Sequence, residues 1–379
     1  MITNNQFCVK KASTSSHAGM RRIFLVCGFL LMSLTGMAYD VKIGGIYYNL
    51  SGSEATVTYL NNQDNSTAYS GSVVIPSTIS YQNAAYRVTA IGENAFSDCT
   101  GLTQVSIPDG MKSISSGAFY NCTGLTSITI PESITHMPYA KGGDVFQGCS
   151  NLVTVTINSN AIADAPFTNL LNSTLVNLSY FFGYQVKHYI FGESVTSIHQ
   201  CACYALNVNT VTIGSNVTSI GWAAFATHLS SIIVKRETPI ELEFSPFKER
   251  SEKITATLYV PKGTKAAYEA AKYWNELPEI VEYVEGKILF ADNDIKAICV
   301  ANWDTDGDGE IDYEEAGAVT SIENKFKGHT DISKFNELQY FTGLESVCDS
   351  AFYGCNNLTS ITLPSNITAI GNSVFQGCI

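Results

Sequence analysis

Apolar residues in this chain recur with a fixed spacing of 23 residues. The core positions of the first unit are Ile91, Ala95, Phe96, Cys99, Leu102, Val105 and Ile107, and a shift of 23 gives Ile114, Ala118, Phe119, Cys122, Leu125, Ile128 and Ile130. A period in the twenties is typical of a solenoid, in which each unit buries its apolar face against its neighbours. The pattern therefore predicts a stack of short repeats with long exposed surfaces.

The same template returns later in the chain. Near the C-terminus it places apolar residues at Ala351, Phe352, Cys355, Leu358, Ile361 and Leu363. A 22-residue form relates Val186, Tyr189, Phe191, Val195 and Ile198 to Val208, Val211, Ile213, Val217 and Ile220. Alternate residues of each apolar phrase are expected to face inward from a strand. An insertion at 138–143 predicts a surface loop, and the template is hard to follow over 160–185.

The segments outside the repeats predict how the arrays begin and end. Alternating apolar and polar residues with turn signals predict an N-terminal β cap, and an apolar strand followed by an Ala-rich helix from Lys265 to Trp274 predicts a terminal cap. The predicted order is a β cap at 39–84, a first repeat array at 85–256, a strand-helix cap at 257–285, a linker module at 286–340 and the start of a second array at 341–379.

Five of the 11 cysteines occupy one template position, three residues after a phenylalanine. They are Cys99, Cys122, Cys149, Cys355 and Cys378. In a solenoid these side chains would form a column on rungs about 4.8 Å apart. That backbone distance permits a disulfide, but side chains that point the same way work against the required dihedral. We therefore predict small, buried, free thiols.

The first 38 residues predict an export signal. Arg21 and Arg22 precede an apolar run from Ile23 to Met32, and Gly36-Met37-Ala38 offers small residues around a cleavage point. Met20 stands directly before the arginines, so a translation start at Met20, which leaves out residues 1–19, is an alternative. An uncleaved anchor is the alternative, although the run is shorter than the about 20 residues that span a bilayer. The prediction is a cell-surface or secreted protein with no transmembrane span in its mature form.

Charge and motif content narrow the function classes. The net charge is −12 and the pI is near 4.9, and without a Lys/Arg cluster to neutralise phosphates we expect no nucleic-acid binding. No Ser-His-Asp, zinc-protease or phosphate-loop motif is present. Glu241 and Glu243 alternate onto one face of a predicted strand; paired acids suit glycoside hydrolysis, but a solvated edge is the simpler interpretation. We predict that the protein is not an enzyme.

The linker contains one strong chemical motif, a 12-residue run from Asp304 to Glu315 that matches the EF-hand loop. Carboxylates stand at positions 1, 3, 5, 9 and 12, a glycine at position 6 permits the sharp turn, and position 7 supplies its backbone carbonyl. The predicted Ca²⁺ ligands are Asp304, Asp306, Asp308, Glu310, Asp312 and Glu315. The alternative is an acidic, solvated turn without metal.

Flanking residues agree with this motif. Asp294 to Trp303 predicts an entering helix, and Glu314 to Val319 predicts the start of an exit helix. EF-hand loops normally pair through position 8, here Ile311, and the sequence contains no second loop. We expect a weak, structural Ca²⁺ site, since extracellular modules bind at about 10⁻⁴–10⁻³ M. Without Ca²⁺ the clustered carboxylates should repel one another and loosen the linker.

The repeat resembles the BspA-like leucine-rich repeats of bacterial surface proteins, most closely in Ile91-Gly92 to Leu102 and in the closing phrase Tyr259-Val260-Pro261. The resemblance covers roughly 85–285 and 340–379. It implies a β-rich leucine-rich-repeat solenoid of the α/β horseshoe type in two arrays, which the acidic motif predicts to be joined by a small helical EF-hand-like segment. It also implies a surface or secreted bacterial protein that binds host or partner extracellular proteins. A structural envelope module and a glycan-binding protein remain alternatives.

Overall fold

The computed structural model describes residues 39–60, 68–139, 144–165, 177–248 and 254–378. The predicted export signal lies outside these residues, as does the end of the predicted insertion loop at 140–143. Within the described ranges, no helix has the length and apolar character needed to cross a membrane.

The N-terminal strands form a mixed sheet that continues directly into the repeats. Its strands are β1 (Val41–Ile43), β2 (Ile46–Ser51), β3 (Glu54–Thr58), β5 (Thr78–Tyr81), β6 (Ala84–Ile91) and β8 (Ser113–Ile114), while β4 (Gly71–Val74) pairs separately with β7 (Leu102–Ser106). The hairpin between β5 and β6 turns at Gln82 and Asn83, both with positive φ. The predicted boundary at residue 84 therefore falls inside this hairpin. Because β3 pairs with β6 in parallel, the cap and the first repeats share one ladder.

A seven-stranded sheet of parallel neighbours forms the rest of the first array. Its strands are β9 (Ser127–Ile130), β10 (Thr154–Ile157), β11 (His188–Phe191), β13 (Thr210–Ile213), β15 (Ser231–Val234), β16 (Thr257–Pro261) and β17 (Glu279–Tyr283), and β12 (Ser197–Ile198) pairs with β14 (Ser219–Ile220) in a smaller sheet. Ile128 and Ile130 are buried and lie in register with buried Val155 and Ile157. This alternation confirms the inward-facing pattern predicted from the repeat.

Phenylalanine rings form the centre of the core. Phe96, Phe119 and Phe146 stack almost parallel, with successive centroids 5.1 and 5.0 Å apart. Phe182 follows at 5.5 Å and thus takes the template position where the sequence pattern was hard to follow. Two short helices lie in the same region, α1 (Asn160–Ala163) and α2 (Ser179–Phe182).

The terminal cap differs from its prediction. The helix α3 (Lys265–Ala270) ends before Trp274, so the predicted helix end was wrong. Tyr273 has a φ of 68°, and the chain then forms a 3₁₀ turn at Trp274–Glu276. The Trp274 ring is fully buried, and its Nε1 donates to the Ile240 carbonyl at 2.9 Å. Burial of this indole outweighs the local helix preference of the Ala-rich segment.

A second hydrophobic cluster extends from Ile288 to Val374. It contains helices α4 (Asn293–Trp303) and α5 (Tyr313–Ala318), a 3₁₀ turn at Asn336–Tyr340, and strands β18 (Lys334–Phe335), β19 (Ser346–Val347), β20 (Ser360–Ile361) and β21 (Ala369–Ile370). Phe326, Phe352 and Phe375 form a second stack of rings within this cluster, with successive centroids 5.3 and 5.7 Å apart. Because Phe326 precedes residue 341, repeat packing begins within the segment predicted as linker.

Candidate functional site

The acidic loop connects the two helices of the second cluster. Asp292 caps α4, because its Oδ1 accepts hydrogen bonds from the Asp294 and Ile295 amides. Asp312 caps α5 in a reciprocal arrangement with Glu315, the residue three positions later. Both caps satisfy amides that a helix N-terminus leaves unpaired. The loop therefore runs from the C-terminus of α4, where Asp304 is the C-cap, to the capped N-terminus of α5.

The carboxylates of three loop aspartates accept hydrogen bonds from backbone amides of the same loop. The Asp304 carboxylate accepts hydrogen bonds from the Gly307 and Gly309 amides at 2.7 and 2.9 Å. Asp306 and Asp308 each accept from the amide two residues further on. Gly307 and Gly309 have φ of 73° and 81°, a region that glycine adopts without steric cost.

Three of the predicted ligands come together. One carboxylate oxygen from each of Asp304, Asp306 and Glu315 lies within 4.8 Å of the others. Glu315 is buried, and its oxygens accept hydrogen bonds from the Thr305 and Asp312 amides at 2.7 and 2.9 Å. Burial alone would raise the pKa of Glu315, but these hydrogen bonds outweigh it and the pKa is lowered. A cluster of carboxylate oxygens on a folded loop fits a hard divalent cation.

One lysine pairs with three of the loop aspartates, including Asp306 of the convergent group. Lys287 Nζ lies 2.8 Å from Asp308, 3.2 Å from Asp306 and 3.3 Å from Asp312. The hydrogen bond with Asp308 is the largest of the effects that raise the pKa of Lys287, and the same bond lowers the pKa of Asp308. The Lys287 ammonium therefore offsets the predicted repulsion at three of the five carboxylates, those of Asp306, Asp308 and Asp312.

Glu310 is held apart from these acids. Its carboxylate pairs with Lys296 Nζ at 2.6 Å, and the Glu310 side chain is 14% exposed. The side chain of Glu310 thus has its own cation, and a backbone-carbonyl contribution at position 7 stays a prediction.

Lys287 reaches the loop because its own segment pairs with it. Lys287 and Asp312 form an antiparallel bridge, and the Ile288 amide donates to the Ile311 carbonyl at 2.6 Å. Ile311 is thereby paired within the chain without a second acidic loop. Sequence reasoning missed this contact. The only signal is the alternation at Ile288 and Phe290, both of which are buried.

The outward face of the seven-stranded sheet is a second candidate surface. One register row contains Ser127, Thr154, His188, Thr210, Ser231, Thr257 and Glu279, and the next contains Thr129, Thr156, Ile190, Thr212, Ile233, Tyr259 and Val281. All of these side chains are partly or fully exposed. Burial, followed by the nearby Lys187 charge, lowers the pKa of His188. The two rows combine hydroxyl groups with apolar side chains.

The predicted pair Glu241 and Glu243 lines an open cleft of about 500 Å³. The predicted strand at this pair was wrong, because the segment is irregular; Leu242 points into the core and leaves both acids exposed. Trp222 and the 59% exposed Phe244 also line the cleft. This arrangement places acids and aromatic rings around one opening.

Comparison with known proteins identifies the repeat. The model of the BspA type leucine rich repeat region matches in 6 copies, over residues 75–179, 171–266 and 319–379. No curated protein matches the chain.

Comparison with solved structures matches the chain to two bacterial leucine-rich repeat proteins. A leucine-rich repeat protein from Bacteroides ovatus is 19% identical with a TM-score of 0.32, and the match covers 90% of this chain and 93% of that one. A leucine rich cell surface protein from Faecalibacterium prausnitzii is 20% identical with a TM-score of 0.29, covering 89% and 92%. The assignment rests on the repeat model, which matches more than half of the chain: this protein belongs to the BspA-type leucine-rich repeat family.

Proposed function

We propose that this protein is exported to the bacterial cell surface or secreted, and that it binds host or partner extracellular proteins through the outward face of its seven-stranded sheet. The observation that carries the proposal is the register of that face. Ile190 and Ile233 share one row with threonines, and the neighbouring row is polar. Apolar centres with polar rims are typical of protein interfaces.

A binding assay on the full chain tests this role. Purified host extracellular-matrix and serum proteins are passed over immobilised protein, and the same panel is passed over Ile190→Lys and Ile233→Lys. We expect at least one partner with a Kd below about 10⁻⁵ M, weakened at least about tenfold by either substitution. Tyr184→Lys is the control, because Tyr184 is 53% exposed and lies outside the sheet. Failure to capture any protein supports the alternative, a structural envelope module.

We further propose that Asp304, Asp306, Asp308, Asp312 and Glu315, with the Glu310 carbonyl, hold a Ca²⁺ ion. The ion would supply the divalent charge that lets these oxygens stay close together. The chain's own contribution is the folded loop, since its aspartates already accept hydrogen bonds from loop amides. The loop lies within the second hydrophobic cluster, and Lys287, at the start of that cluster, pairs with it. Ca²⁺ would therefore stiffen the part of the chain that leads from the first array into the second. Repeating the binding assay with a chelator separates this contribution from that of the sheet.

Glycan binding is the second candidate, and the cleft beside Trp222 and Phe244 favours it. Sugars stack on aromatic rings, and their hydroxyl groups donate hydrogen bonds to carboxylates such as Glu241 and Glu243. A glycan array with wild type and Trp222→Ala tests this candidate. Loss of the bound glycans in the variant supports the candidate, and an array without any bound glycan contradicts it.

A further inference from the structure

We propose that Lys287 is a built-in cation of the acidic loop, and that Ca²⁺ binds by displacing its ammonium group. This inference rests on the proposed Ca²⁺ site and adds the regulation of that site. It assigns to Lys287 the role of setting the metal affinity.

The position of Lys287 is fixed by the backbone. Its residue pair with Asp312 and the hydrogen bond between Ile288 and Ile311 keep the side chain beside the loop. The Lys287 side chain is only 13% exposed. A lysine held in this way has lost much of the water and rotamer freedom that makes surface ion pairs weak.

Lys287 and the metal would compete for the same oxygens. Asp306 belongs to the group of three convergent ligands with Asp304 and Glu315, and it also contacts the Lys287 ammonium at 3.2 Å. Asp308 is a predicted ligand and is the closest partner of Lys287, at 2.8 Å. A divalent cation bound to these carboxylates would be repelled by the Lys287 ammonium, which lies close to the same oxygens. Binding therefore requires that Lys287 withdraw.

Exchange of this kind has two consequences. Without Ca²⁺ the loop keeps a neutralising partner and stays folded, whereas removal of Lys287 leaves the acids to repel one another. With Ca²⁺ the wild type must first give up its charge-assisted hydrogen bonds. A variant without Lys287 has no such hydrogen bonds to break. Loss of this lysine should therefore lower the stability of the metal-free protein and raise its affinity for Ca²⁺.

The test compares wild type, Lys287→Met and Lys296→Met by calorimetric titration with CaCl₂. Lys296 is the matched control, because it also pairs with a loop carboxylate, that of Glu310, which is expected to bind metal only through its carbonyl. We expect Lys287→Met to bind Ca²⁺ about tenfold more tightly than wild type. Lys296→Met should stay within about twofold. Melting in Ca²⁺ and in chelator gives a second readout, and the difference in Tm should be largest for Lys287→Met.

Each outcome decides the question. Equal tightening in both variants would reduce the effect to overall charge, and weaker binding by Lys287→Met would make Lys287 a support of the site; either overturns the exchange. If none of the three proteins takes up Ca²⁺, the proposed metal site itself fails. Lys287→Gln repeats the comparison if Lys287→Met is misfolded by circular dichroism.

Discussion

The thiol of Cys122 donates a hydrogen bond to the main-chain carbonyl of Phe96, 3.0 Å away in the preceding repeat. Cys149 makes the same contact with Phe119 at 2.9 Å, and so does Cys355 with Phe326 at 2.9 Å in the second array. None of the nine cysteines that the structure describes forms a disulfide. In these three repeats, the cysteine that follows the phenylalanine by three residues is thus a small, buried side chain that donates a hydrogen bond to the main chain of the preceding repeat.

Replacing Cys122 with alanine should lower the free energy of unfolding by about 1–2 kcal/mol, because the change removes both the sulfur contacts and a buried hydrogen bond. Urea unfolding measures this loss. Cys348→Ala is the control. Cys348 is half-buried and donates to the exposed Glu323 at 2.8 Å, so water can replace its bond and the loss should be smaller. Equal losses in the two variants would contradict the proposed role.

Phe119→Ala should destabilise the first array by about 3–5 kcal/mol. The Phe119 ring is fully buried between Phe96 and Phe146, and its neighbours cannot close the gap without breaking the register of the strands. Tyr120, the next residue, is 37% exposed. Tyr120→Ala should therefore change the free energy of unfolding by no more than about 0.5 kcal/mol. Thermal and urea unfolding of both variants check this difference. Comparable losses would mean that the ring stack does not support the array.

Glu337 predicts a pH-dependent effect in the second cluster. It is 8% exposed, Oε1 accepts from the Ala291 amide at 3.1 Å, and Oε2 has no partner among the described residues. Burial, aided by the nearby Asp292 charge, raises the pKa of Glu337. The native state therefore holds the proton of the Glu337 carboxyl more tightly than the unfolded chain does, in which glutamates have a pKa of about 4.3. Stability from this group is complete below that pH and is lost as the pH rises through the native pKa.

Glu337→Gln should consequently gain stability over wild type as the pH is raised from about 4 to 7, by roughly 1–3 kcal/mol, the cost of a buried charged oxygen without a partner. Unfolding by urea at several pH values measures the gain. Glu345→Gln, at an exposed position, should show no such trend. A constant difference between Glu337→Gln and wild type at all pH values would refute the assignment.

Local periodicity was sufficient to predict the core but not the contacts between distant segments. The spacing of Phe96, Phe119 and Phe146 gave the ring stack, because neighbouring repeats bury the same template position. Of the six Ca²⁺ ligands predicted from the spacing of acids and glycines, Asp304, Asp306 and Glu315 come together in the described part of the chain. Lys287 could not be placed beside them, since its position depends on backbone pairing with Asp312 across 25 residues.

Other errors have the same physical origin. The helix predicted to reach Trp274 ends at Ala270 because the indole is buried against Phe247 and Tyr268. The acceptor for Cys122 is a main-chain carbonyl in another repeat, so no side-chain pattern reveals it. Tertiary burial and backbone hydrogen bonding thus decide the features that periodicity leaves open.

Calorimetric titration of the full chain with Ca²⁺, beside the Asp304→Ala variant, tests the central claim most directly. The loop between the arrays should take up one Ca²⁺ per chain with a Kd of about 10⁻⁴–10⁻³ M, and Asp304→Ala should abolish the uptake. Asp304 provides a carboxylate oxygen to the cluster and also holds the Gly307 and Gly309 amides. No heat of binding at millimolar Ca²⁺, or the same uptake by wild type and Asp304→Ala, would contradict the account.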